Sequence, residues 1–381
     1  MLSAETVHPA RLGHAEAAAW RALCAREADF SNPLLGPDFA EAVAEVRSDA
    51  RVTVWRRGDQ PVAFLAYHLR PGGYARPIGA PLSDYHGLVS GEPIDIAEAL
   101  AVAGLKAYRY TGLSDPYGSF AAPSERMRDG FVIQLDGSAD DYVEQLRAQS
   151  PKRFKNYRRL DHKMSREVGE LEVIAPDPSQ AAFEQLIAWK REQLARTGGH
   201  DFLRPDWTRV LLRNLFHRTS GPLQGLMINL YADGRLVAGH FGVRLGDFYH
   251  PWIASTDPEL AAWSPGQVFL LRAIAAMPGL GLDTYDLGPG HEHYKRPYCL
   301  TTRRIADGLA TAASPAGRAA AASERAWAWA GAHKGGAVER LRRRLDAIAT
   351  VELSFQDRAR SLASALAAKA RSSGAAAELA E

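Results

Sequence analysis

The sequence predicts a mixed α/β protein built from two copies of one α/β unit, followed by a helical extension. Three observations carry this. The chain has 381 residues, more than one average domain holds. Two stretches share one plan. RVTVWRRGDQPVAFLAYHLR (51–70) sets two β-rich runs around the turn Arg57–Gly58–Asp59–Gln60. GLMINLYADGRLVAGHFGVRLGDFYHPWIAS (225–255) does the same around Ala232–Asp233–Gly234–Arg235 and adds a third strand after Leu245–Gly246–Asp247. After residue 313 the composition shifts to Ala, Arg and Ser. An apolar content of 46% is ample for packed cores.

In chain order, helical alternation appears at 15–28 and 38–47, with SNPLLGP as the loop between them. The first hairpin follows, then glycine-rich turns, APLSDYHGL, and a helix near 93–104. Ser150, Pro151 and Gly169 punctuate a bridging helix as cap, first residue and stop. Its Phe154, Tyr157, Leu160, Met164 and Val168 share one face. Lys152, Lys155, Arg159, Lys163 and Arg166 form the opposite stripe, either a solvated face or an anion-facing wall. A helix at 178–197 is capped by Asp177 and ended by Gly198–Gly199. Ser264–Pro265–Gly266 starts another, between strands 248–255 and 282–287. These readings divide the chain into units at 1–149 and 150–313 and an extension at 314–381. In that extension Val338, Leu341, Leu345, Ile348, Phe355, Leu362 and Leu366 keep three-to-four spacing, interrupted by Glu352 and Ala359.

A net charge of +2 implies no global pull toward nucleic acid. Cys24 and Cys299 lack CxxC partners, so neither a disulfide framework nor a structural zinc site follows. The N-terminal stretch meets charge early and does not read as a signal peptide. No uncharged apolar run is long enough to span a bilayer. A cytoplasmic setting is expected, with peripheral membrane contact left open.

The stretch DLGPGHEHYKRPYC (286–299) admits three functions. Gly288 and Gly290 lack the third glycine or GK[ST] of a phosphate loop. His291 and His293, two apart, point to different sides of a helix, with no third ligand signalled, so no metal is expected. The third reading brings Glu292, Tyr294 and Lys295 to a strand end, beside Tyr249, His250 and Trp252 on the neighbouring strand.

The ordered set KNYRR, WKREQ, GRLVAGHFGVR, FYHPWIASTDP, WSPGQ, YDLGPG and YK resembles the CelD/BcsL-type acyltransferases, which are GNAT-like and related to the FemAB peptidyltransferases. The resemblance covers about residues 15–310 and implies a tandem GNAT fold. It implies acyl-CoA, acetyl-CoA first, as donor, and an amine on a sugar or polysaccharide precursor as acceptor. It places the donor at Ser264, Pro265, Gly266 and Gln267, with the strand around Trp252 and Ile253 binding the acyl end. Glu292 or His250 is then the expected base, with Tyr249 beside it, and Tyr294 the donor to the leaving thiolate. Lys295 and Asp286, with Lys155 and Arg159 of the basic stripe, are expected to hold the acceptor. The chain lacks the Q/RxxGxG/A loop of ordinary GNAT enzymes, which leaves aminoacyl-tRNA open as donor. A non-catalytic nucleotide sensor is a third possibility. Arg340, Arg342, Arg343 and Arg344 crowd one turn, either as a solvated basic helix or, since the resemblance also implies a place in exopolysaccharide synthesis, as a site for cyclic di-GMP.

Overall fold

A computed structural model describes residues 1–121, 127–334, 336–352 and 356–363. The first half runs β1 (Leu2–Val7), α1 (His14–Arg26), α2 (Pro37–Ala44), β2 (Ala50–Arg57), β3 (Gln60–Arg70), β4 (Tyr74–Pro77), β5 (Val89–Ser90), α3 (Ile96–Val102), β6 (Ala107–Leu113), β7 (Met127–Gln134) and α4 (Ala139–Gln149). The second runs α5 (Pro151–Glu167), β8 (Leu171–Ile174), α6 (Gln180–Thr197), α7 (Asp206–Phe216), β9 (Leu223–Ala232), β10 (Arg235–Leu245), β11 (Phe248–Thr256), α8 (Pro265–Ala276), β12 (Thr284–Pro289), α9 (Glu292–Lys295) and β13 (Thr301–Thr311). The tail adds α10 (Pro315–Lys334) and α11 (Gly336–Val351).

Twelve strands form one path, β1-β2-β3-β4-β6-β13-β7-β12-β11-β10-β9-β8, and β5 pairs with β3 off it. The path has the same plan from either end. Each unit is antiparallel except for one parallel pair, β4 with β6 and β11 with β12. The last strand of each unit comes from the other half: β13 lies against β6, and β7 against β12. The two strands then pair with each other and close the sheet into one piece. The mixed α/β architecture of two like units is thus as the sequence predicts; the exchange of strands is not visible in the hairpin pattern.

Each parallel pair holds at only two positions, Tyr74↔Ala107 and Ala75↔Tyr108 in one unit, Phe248↔Thr284 and Tyr249↔Tyr285 in the other. Beyond them the strands part. In the first unit an excursion of the chain, residues 78–88, fills the gap. His86 bonds to β6 there, its N–H to Gly112 O at 2.9 Å and its carbonyl to Ser114 N at 2.7 Å. In the second unit β11 runs on unbroken, and the gap stays open.

The units share a core. Phe39 of α2 packs on Trp252 of β11 with ring centroids 5.8 Å apart, and one apolar cluster joins Trp20 and Val43 to Phe183, Leu211 and Phe241. Two expected caps differ. Ser179, not Asp177, caps α6, because Asp177 turns inward to accept from Asn229 and Tyr231. Ser150 stands at the start of α5 without a side-chain cap bond.

The tail clasps the body. Ile348 and Val351 are buried, Arg70 donates to Ala349 O and Glu352 O, and Trp207 donates to Val351 O at 3.1 Å. Glu352, an interruption of the apolar seam in sequence, is buried against Arg204 and Ser361. Leu341 of that seam is exposed, and Phe355 and Leu366 lie outside the described residues.

Candidate active site

The gap between β11 and β12 opens into a cavity of about 520 Å³. Trp252, Ala254, Ser255 and Thr256 line one wall, Leu287 the other, and α6 covers it with Trp189, Lys190 and Gln193. A bulge between Phe241 and Gly242 of β10 leaves Trp252 as the extra residue of β11. No ladder joins β11 to β12 beyond Tyr249, so the edge facing the cavity can receive an extended amide chain.

Helix α8 begins at this cavity, with Ser264 to Gln267 along its rim. Pro265 takes the first helical position, where its missing N–H costs nothing. Gly266 has a reason the sequence did not reveal. A Cβ there would stand 2.8 Å from the hydroxyl oxygen of Tyr294, which donates to Gly266 O at 3.0 Å. The glycine lets α9 close against the start of α8.

His240 of β10 lines the floor, its Nδ1 2.5 Å from the Tyr285 hydroxyl. Burial, then the charges of Lys295 and Lys190, push its pKa down to about 3, so the ring is neutral. Lys295 enters from α9 and donates to Leu287 O, Gly288 O and Pro289 O, capping the open end of β12. Burial lowers its pKa, opposed by Asp84 and Asp286. Lys190 contacts Gln193 Oε1 at 3.2 Å and is also lowered by burial, then by Lys295.

Asp84 is the one cavity carboxylate contributed by the first unit. It sits in APLSDYHGL, on the excursion that fills the other gap. Burial pushes its pKa up, but the facing His250 ring, Lys295 and Arg128 outweigh that and hold it below the usual value.

Of the expected residues, Ser264, Pro265, Gly266, Gln267, Trp252, Tyr294 and Lys295 come together around the cavity. Others do not. Glu292 is exposed and paired with Arg296, because α9 turns it outward into a separate groove with Arg153. Tyr249 is in the core and donates to Leu226 O, and Ile253 is fully buried. His250 and Asp286 are also fully buried and stand behind Asp84 instead of facing the cavity. Lys155 and Arg159 lie on the exposed face of α5, Arg159 bonded to Asn156, and neither lines the cavity. Among the tail arginines, Arg342 is engaged by Glu324, Arg344 is exposed, and the side chains of Arg340 and Arg343 lie outside the described residues. Among the described residues no group of three or more His, Cys, Asp or Glu is placed to hold a metal, and no helix is long and apolar enough to cross a membrane.

Residues 151–296 match the acetyltransferase (GNAT) domain family. That stretch supplies every lining residue of the cavity except Asp84, and the match supports an acyltransferase. No curated protein matches the sequence. The fold is similar to the crystal structure of FemX, at 11% identity and a TM-score of 0.48, over 80% of this chain and 96% of that one. It is similar to a tandem GNAT protein from the clavulanic acid biosynthesis pathway, at 12% and 0.45, over 82% and 99%. It is also similar to L-PGS from Bacillus licheniformis, at 13% and 0.41, over 68% and 77%. At such identities and scores these likenesses carry nothing about substrate.

Proposed function

We propose that the chain is a cytoplasmic N-acyltransferase of the CelD/BcsL type. It moves an acyl group from acyl-CoA to an amine on a sugar or polysaccharide precursor, in synthesis of a cellulose- or holdfast-like exopolysaccharide. The observation that carries this is the parting of β11 from β12 beside the start of α8. An amide-bearing pantetheine arm suits the unpaired edge of β11, and a pyrophosphate suits the N–H groups at a helix start. Trp252, Thr256 and the Ser264–Gln267 segment would hold the donor. The neutral His240 and the capped Lys295 shape the far end, where a hydroxyl- and amine-bearing acceptor finds polar partners.

A second reading keeps the fold and takes aminoacyl-tRNA as donor. The exposed cations of α5 favour it, since Lys152, Lys155, Arg159 and Arg166 all face solvent as a polyanion would require. Cyclic di-GMP at the tail draws no support from Arg342, which is already ion-paired.

Calorimetry with acetyl-CoA decides between the donors. Saturable binding is expected, and Gly266→Asp should abolish it by placing bulk against Tyr294 and negative charge at the helix start. Unchanged affinity in that variant refutes the placement. Binding of aminoacyl-tRNA with steep salt dependence, and none of acetyl-CoA, selects the second reading.

A further inference from the structure

Three strands give up a side chain to make room for one short stretch of the first unit. A Cβ on Gly112 of β6 would stand 1.8 Å from the Asp84 carbonyl oxygen. One on Gly130 of β7 would stand 2.1 Å from the Tyr85 hydroxyl. One on Gly288 of β12 would stand 2.8 Å from Asp84 Oδ2 and 3.3 Å from His250 Cε1. The Asp84–Tyr85 stretch is therefore seated by both halves of the sheet, and its carboxylate emerges in the cavity.

Behind it lies a buried row of polar groups. His250 Nε2 is 3.4 Å from Asp84 Oδ2, and His250 Nδ1 is 3.9 Å from Asp286 Oδ1. Neither ring nitrogen has a hydrogen-bond partner in the protein, although the residue is fully buried. Asp286 is itself fixed, accepting from Tyr85 at 2.8 Å, Gly288 N at 2.8 Å and Asn32 at 3.4 Å. Burying the Asp286 carboxylate and the His250 imidazole side by side, behind the partly exposed Asp84, is costly unless each is paired, and a packed apolar core needs neither.

We propose that Asp84 is the catalytic residue that takes the proton from the attacking nucleophile, with His250 and Asp286 as its positioning residues. The proposal rests on the acyl-CoA reading above. The amine nitrogen attacks the thioester carbonyl, the C–N bond forms, and the C–S bond breaks with its electron pair on the CoA sulfur. The N–H proton, acidified as the bond forms, passes to the Asp84 carboxylate and on to solvent, and the thiolate takes a proton from water. Groups facing Asp84 are His250 from β11, Lys295 from α9, Lys190 from α6 and Arg128 from β7. Those facing His250 are Asp84, Asp286 and the Tyr85 ring edge at 5.5 Å, with Arg303 Nε 3.7 Å from Asp286. The carboxylate must be ionised to act, so the rate rises with pH through its pKa, and loss of the His250 ring moves that rise to higher pH.

The test follows thiol release from acetyl-CoA, with water alone and with D-glucosamine as probe acceptors, across pH. Asp84→Asn should lower the rate about 100-fold, with acetyl-CoA affinity by calorimetry unchanged. Asp84→Glu should recover part of it. His250→Asn and Asp286→Asn should keep donor affinity, and His250→Asn should shift the acid limb of the profile upward. A native chain that binds no acetyl-CoA sinks the donor reading. If Asp84→Asn binds acetyl-CoA normally and releases thiol as fast as the native chain, with either acceptor, the assignment of Asp84 is overturned. An acid limb unmoved in His250→Asn reduces His250 and Asp286 to packing.

Discussion

Gly112 and Gly58 form a matched pair that tests how the site is seated. Both have left-handed backbone, at φ +60 and +61. Their surroundings differ. At Gly58, in the hairpin turn between β2 and β3, an added Cβ meets nothing within 4 Å. At Gly112 it meets the Asp84 carbonyl oxygen at 1.8 Å and the carbonyl carbon at 2.9 Å. Alanine at either position incurs about 1 kcal/mol of backbone strain. Only at Gly112 must backbone move as well, which adds about 1–3 kcal/mol of overpacking. Gly112→Ala should therefore lose about 2 kcal/mol more than Gly58→Ala in urea unfolding followed by circular dichroism. It should also slow thiol release, because Asp84 moves with its carbonyl, whereas Gly58→Ala should leave the rate alone. Equal unfolding midpoints for the two variants would show that the excursion is loosely seated and refute the reasoning.

Acid stability follows from three buried histidines. Burial pushes His68 and His86 down to about 4 and His240 to about 3, so all stay neutral in the fold and bind protons when unfolded. At His68 the Arg47 charge adds to burial and the Asp49 contact opposes both, and the unprotonated Nε2 accepts from Gly79 N at 2.9 Å. Stability is full above pH ~6.5 and falls as pH drops below it, by about 2 kcal/mol per histidine at pH 5. Melting points that stay flat from pH 7 to pH 5 contradict this. Ile348→Ala in α11 should destabilise the chain by about 2–5 kcal/mol, and a chain ending at residue 313 should lose more, since Ile348 and Val351 leave the body uncovered. A truncated chain that melts with the full-length protein would show that the clasp is idle.

Local pattern made the elements readable. The helical face of Phe154, Tyr157, Leu160 and Met164 is buried as its spacing requires, and the two hairpins fold around the turns that mark them. Ser264–Pro265–Gly266 starts a helix with Pro265 at its first position, although Ser264, in left-handed backbone, makes no side-chain cap bond. What stayed hidden is what depends on distant pairing. Glu292 follows a glycine turn and looks like a delivered acid, but four residues of helix turn it to solvent. Tyr249 belongs to a strand that also carries cavity residues, and its alternation sends it to the core. Asp84 had a usable signal, the motif SDYHG between glycine-rich turns, but nothing in one sequence says which distant strands leave room for it. Gly112, Gly130 and Gly288 are that room, and each alone reads as an ordinary turn or strand glycine.

The plan shared by the two units explains why the gap stays open in the second and not in the first. Both part a parallel pair after two rungs, and a parted pair leaves unpaired backbone that must be satisfied. The first unit satisfies it with its own chain, through His86 between Gly112 and Ser114. That excursion uses up the groove in which a donor would lie, so the first unit has no open gap of its own. The same excursion carries Asp84 across the sheet to the second unit, where the gap is still open. The strand exchange holds the two events in register, because β7, which receives Tyr85 at Gly130, is hydrogen-bonded to β12, which receives Asp84 at Gly288. A shift of β7 against β12 would move both contacts together. Sheet register thus fixes where the first unit places Asp84 against the second, which is the placement its proposed role requires.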